Sequence, residues 1–149
     1  MLASGELAAA IGVDIDHPDV KPLIASPREA AYEALRASGH YPINHLMVVK
    51  DEILEANPAL GPAIFEAFAE AKRLYVDRLG AGRISHPTAV DDMYKRVMEI
   101  TGRDPLPYGI EPNRRMLDEV VASALEQGIV SRPLTVEELF PRNAHALVG

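Results

Sequence analysis

Along most of the chain apolar residues recur with helical spacing, and in only a few places do they close up into short unbroken runs. PREAAYEALRAS at 27–38 follows Ser26 with a proline at the first helical position and Glu29 three residues after the serine, the spacing of a capping box. A helix is predicted from there to about Ser38, with Gly39 as its left-handed stop. A short helical turn is expected at 51–56. Asn57-Pro58 then opens a longer helix in which Ile64, Phe65, Phe68, Ala71, Tyr75 and Leu79 share one side, ending at Gly80 and Gly82. Thr88 and Asp91 repeat the capping-box spacing before a helix that turns Val90, Met93, Tyr94, Val97 and Ile100 inward and closes at Gly102. The proline-rich loop RDPLPYGIEPN leads to a helix with Leu117, Val120, Val121, Ala124 and Leu125 on its buried stripe and Gly128 as its stop. TVEE at 135–138 caps a last short helix ending at Phe140-Pro141, and the tail to Gly149 is expected to fray.

Three stretches read as strands. SGELAAAIGVDI looks like the end of a helix running into a strand near 9–13, and VKPLI at 20–24 is a second candidate. INHLMVV at 43–49 is the best of them, nearly continuous in apolar content from Leu46, as in a strand covered on both faces. The expected fold class is therefore α/β and helix-rich, with a small, incomplete, mainly parallel sheet. Parallel strands need neighbours and crossovers, and so few strands cannot cover themselves. The sheet is either unusually small or completed elsewhere. Uncovered edges at 9–13 and 43–49 predict a homodimer or a domain-swapped pair.

With 149 residues, 48% of them hydrophobic, the chain supports one packed domain. Only 5% are aromatic and tryptophan is absent, so the interior is expected to be aliphatic. A net charge of -7 with scattered basic residues argues against nucleic acid as a partner. No stretch approaches the roughly 20 apolar residues of a membrane span, and MLASGELAAAIG lacks a positive leader, so the chain as written is expected to stay in the cytoplasm. Without cysteine, thiolate metal sites and cysteine nucleophiles are excluded.

Five histidines invite a metal reading, but none pairs with another at helical i, i+4 spacing, and His40 and His45 would fall on opposite faces of a strand. Asp14, Asp16 and His17 read as a polar turn. His45, beside Asn44 at the mouth of the best strand, stands where open α/β sheets bind ligands, or else is a half-buried histidine tying loop to strand. Tyr108, Glu111, Asn113 and Arg114 gather at a helix start, where backbone amides and a guanidinium suit an anion; alternatively Glu111 and Asn113 cap the helix and Arg114 is solvated. No G-x-S-x-G, P-loop or G-x-G-x-x-G occurs, which removes serine hydrolase, kinase and dinucleotide readings.

GHYPINHLMVVKDEILEANPAL and DPLPYGIEPNRRMLDEVVASALEQGIVSRPLTVEELF together resemble the C-terminal half of the 4,5-dihydroxyphthalate decarboxylase family. Members of that family are similar in fold to type II periplasmic solute-binding proteins and are roughly twice as long. The resemblance implies that residues 1–42 are a remnant of the second lobe and that 43–149 supply a hinge strand and helices of the first. It implies a cofactor-independent carboxy-lyase acting on a small aromatic carboxylate, with His45 and Arg114 as catalytic groups and Tyr41, Asn44, Tyr108 and Asn113 binding the substrate. The alternative is a solute-binding module that holds a small anionic aromatic ligand unchanged, or an inactive fragment of either.

Overall fold

The computed structural model describes all 149 residues and contains five α-helices and two 3-10 turns. The α-helices are α1 (Pro27–Ser38), α2 (Asp51–Ala56), α3 (Leu60–Gly80), α4 (Ala89–Thr101) and α5 (Ile110–Glu126), and the 3-10 turns span Val136–Leu139 and Arg142–Ala144. Their boundaries follow the local signals. Pro27 stands at the start of α1, and Gly39 ends it in the left-handed region, its N–H bonded to the Leu35 carbonyl. Thr88 and Asp91 form the reciprocal capping box of α4, with the Thr88 N–H 2.7 Å from the Asp91 carboxylate and the Asp91 N–H 3.3 Å from the Thr88 hydroxyl. The box expected at Ser26 and Glu29 does not form, since the serine side chain makes no cap bond. Ser26, at φ -132 and ψ 73, lies outside the extended backbone from which a capping side chain reaches the second and third amides.

No strand forms, and this corrects the expectation of a mainly parallel sheet. The α/β fold implied by the family resemblance gives way to a helical one. The only β-type pairing is an isolated antiparallel bridge between Gly109 and Val148. The reason lies in the main chain: a helix satisfies its amides internally, whereas a strand needs a second segment as partner. Residues 41–49 donate and accept no main-chain hydrogen bond, and neither do residues 8–16. The tail departs from expectation in the other direction. It docks, with Tyr108 N–H 2.9 Å from the Gly149 carbonyl and Gly149 N–H 3.2 Å from that of Tyr108.

Two small clusters make the core. Tyr32 and Leu35 of α1 pack on Val97 of α4, flanked by Tyr41, Met93 and Ile100. Ile110 and Leu117 of α5 pack on Val136, flanked by Ile43, Val121 and Phe140. The predicted stripe on α5 is only partly buried, because Val120 and Leu125 are exposed. α3 runs about 31 Å at the usual helical rise and is held by Leu79, by α4 and by the Arg142–Ala144 turn. No helix is long and apolar enough to cross a membrane.

Candidate functional site

The loop at 103–109 is where the molecule concentrates its polar chemistry. The Asp104 carboxylate accepts from the Leu106 N–H at 2.8 Å and pairs with the ammonium of Lys72, a lysine buried within α3. That ammonium also stands over the ring of Tyr108, 5.2 Å from its centroid, and Phe65 meets the same ring edge-on at 6.4 Å. Asn113 donates to the carbonyls of Pro107 and Gly109 at 2.7 and 2.9 Å, which fixes the loop onto the start of α5. Gly109 has φ +107, and a Cβ there would sit 2.3 Å from the Leu147 carbonyl oxygen, so the turn and the docked tail both require glycine.

The ribbon that follows α1 is pinned to this loop by its first residues. Tyr41 donates its hydroxyl to the Pro105 carbonyl at 2.8 Å while its ring leans on the first core cluster. Burial, with the nearby Tyr94 and Asp104 adding to it, pushes the Tyr41 phenol up to about 12, so it stays a neutral donor at physiological pH. Ile43 packs on the second cluster, while Pro42 and Asn44 between and beyond are exposed. That alternation belongs to extended chain. His45 follows at the point where the ribbon leaves the body, and it is exposed.

Among the residues singled out from the sequence, Tyr41, Tyr108 and Asn113 therefore meet at the loop. Arg114 faces elsewhere: it bonds Glu111 at 2.5 Å and Glu137 at 2.7 Å. Hydrogen bonds to Glu111 and then Glu137 hold its guanidinium still more firmly protonated than usual. Asn44 and His45 stand on the open ribbon without a hydrogen-bond partner. No three His, Asp or Glu side chains lie close enough together to hold a metal ion.

Sequence reasoning missed Lys72, Asp104 and the Tyr75–Asp91 pair. Beside the loop, Lys72, Arg73, Asp77, Arg103 and Asp104 surround Val76 and Met98 in an open groove of about 430 Å³. Tyr75 donates to Asp91 at 2.6 Å, and that bond, with those from Thr88, holds the Asp91 carboxyl down at about 2. The available signal was a charged residue within an apolar helical stripe: Lys72 falls in register with Phe65, Phe68 and Leu79.

A 4,5-dihydroxyphthalate decarboxylase of Comamonas testosteroni is 31% identical to this chain across 94% of it. The chain is a relative of that decarboxylase. It spans 45% of the decarboxylase's length, a share consistent with the C-terminal half, and the resemblance read from the sequence is borne out. No family model and no solved structure matches the chain.

Proposed function

We propose that this chain takes part in the non-oxidative decarboxylation of a hydroxylated aromatic acid of the 4,5-dihydroxyphthalate kind. The single observation that carries the reading is its similarity to the Comamonas testosteroni decarboxylase along nearly all its residues. The hydrogen bond that pins Tyr41 to the Pro105 carbonyl, on the loop that carries Tyr108, supports it.

The chemistry requires a proton and an electron source. A ring hydroxyl para to a carboxylate pushes electron density onto the carbon that bears it, and a general acid protonates that carbon. The carbon–carbon bond then breaks, carbon dioxide leaves, and the bonding pair restores the aromatic ring. His45 is the acid in this reading, since its imidazole can carry a proton to the ring carbon. Asn44, Tyr41 and Tyr108 contact the ring hydroxyls. Arg114, paired with both Glu111 and Glu137, braces the start of α5 in this reading and does not clamp the second carboxylate. Asn113 holds the loop in place for Tyr108.

The test is to incubate the chain with 4,5-dihydroxyphthalate and measure carbon dioxide release together with the ring product by chromatography. His45→Ala is expected to lower turnover by about 100-fold or more, the usual worth of a positioned acid. Unchanged turnover in that variant overturns the assignment of His45. A ligand-dependent rise in melting temperature with no carbon dioxide favours the binding reading.

A further inference from the structure

Arg114 is taken up by Glu111 and Glu137, so a carboxylate ligand of this chain needs a different cation. The open groove beside the loop has one. Its lining carries three cations, Lys72, Arg73 and Arg103, against two carboxylates, Asp77 and Asp104. Both carboxylates are already engaged. Asp77 accepts from Arg73 at 3.1 Å, and Asp104 accepts from the Lys72 ammonium and from the Leu106 N–H at 2.8 Å. Arg73 is engaged as well, bonding Glu70 at 2.7 and 2.9 Å in addition to Asp77. The guanidinium of Arg103 is left over: its main-chain N–H donates to the Thr101 hydroxyl at 3.2 Å, while its side chain, exposed at the groove, enters no hydrogen bond and no ion pair. A second cation there is buried. Lys72 is 8% exposed, and its ammonium gives Asp104 one of the three hydrogen bonds it can donate. The apolar part of the groove is Val76 and Met98, both half-buried. The volume, about 430 Å³, falls in the roughly 300–1,000 Å³ range of small-molecule sites.

We propose that this groove binds a small aromatic carboxylate, with the free guanidinium of Arg103 receiving the carboxylate and Val76 and Met98 covering the ring. A guanidinium presents paired N–H groups that match two carboxylate oxygens. The half-buried apolar side chains gain from being covered by a ring, and an inorganic anion has no surface to cover them with. In a chain of net charge -7, the excess of cations over carboxylates draws an anion to this point of the surface. The Lys72 ammonium that lines the groove stands 5.2 Å from the centroid of the Tyr108 ring, so the groove adjoins a residue read above as a substrate contact. That the ligand is the acid being decarboxylated rests on that reading; that an aromatic carboxylate binds at Arg103 does not.

Titration of phthalate into the chain, followed by NMR of isotope-labelled methionine methyl groups, tests it. The Met98 methyl signal is expected to shift saturably with a Kd on the order of 1 mM, the affinity that about twelve non-hydrogen atoms give at an ordinary ligand efficiency. Arg103→Gln is expected to weaken binding by at least about 10-fold, the loss of a charge-assisted pair. Arg28→Gln removes the same charge from an exposed position on α1 and is expected to leave the affinity within about 2-fold, since a distant exposed charge is largely screened. Inorganic phosphate is expected to leave the Met98 methyl signal in place. No saturable shift up to about 20 mM phthalate, far above that Kd, overturns the proposal. So does a phthalate affinity that Arg103→Gln leaves unchanged, or a phosphate titration that matches that of phthalate. Carbon dioxide release from 4,5-dihydroxyphthalate with the same KM in parent and Arg103→Gln leaves the decarboxylase reading standing and overturns this one; Arg103-dependent binding without carbon dioxide does the reverse. Circular dichroism is expected to show full helix content in Arg103→Gln, because the side chain it replaces has no partner in the fold.

Discussion

Helix α3 and the ribbon at 43–49 are both rich in aliphatic residues, and they meet opposite fates. Leu79 on α3 is 1% exposed, whereas Val48 on the ribbon is 86% exposed. Hydrophobicity does not separate the two positions. What separates them is the main chain, since α3 bonds its own amides turn by turn and can offer a finished surface to α4 and the 142–144 turn. Beyond Ile43 the ribbon has no internal partner, and Leu46, Met47 and Val48 are left exposed. A helix is a local decision of the sequence, and a strand is a joint decision of two segments.

The largest effect that sharpens this contrast is expected from truncating equal side chains, one on α3 and one on another open stretch. Leu79→Ala is predicted to cost about 2–5 kcal/mol in urea unfolding, the range for a buried leucine. Leu23→Ala, at a fully exposed position in the leading segment, is predicted to stay within about 0.5 kcal/mol. A comparable loss at Leu23 would mean that the leading segment packs.

Next is the seam between loop and tail. Gly109→Ala forces a Cβ into the Leu147 carbonyl and demands a left-handed backbone from an L side chain. A loss of about 1–3 kcal/mol is expected, the cost of such strain, with faster proteolysis of residues 145–149 as its local sign. Gly39→Ala is the control, because its φ is also positive but nothing stands within 4 Å.

The smallest effect concerns acid. The Asp91 carboxyl is held at about 2 by Tyr75 and Thr88, below the ordinary value near 3.9. A folded-state value below the unfolded one contributes stability that is present above about pH 4 and lost as pH falls towards about 2. Melting temperature followed over that window is therefore expected to fall more steeply in the parent than in Asp91→Asn. Parallel curves for the two proteins would contradict the network assigned to the cap of α4.

The helical body was legible because its signals are local. Thr88, Asp91, Gly39 and Gly102 mark ends that depend on neighbours within four residues. Tyr108 and Asn113 were legible as members of one cluster for the same reason, since the helix start brings them together. The sheet was not, because INHLMVV has the composition of a strand and the composition says nothing about a partner. Lys72 and Asp104 are 32 residues apart, and no spacing rule joins a mid-helix lysine to a distant loop. The docked tail escaped notice because its bridge rests on Gly109, a residue that reads only as a turn.

Hydrogen–deuterium exchange tests the central contrast most directly. Amides from Leu46 to Val49 are predicted to exchange without protection while those around Leu79 and Val97 are protected. Protection of the ribbon amides at a level matching α3 would contradict the account by showing that they have a partner.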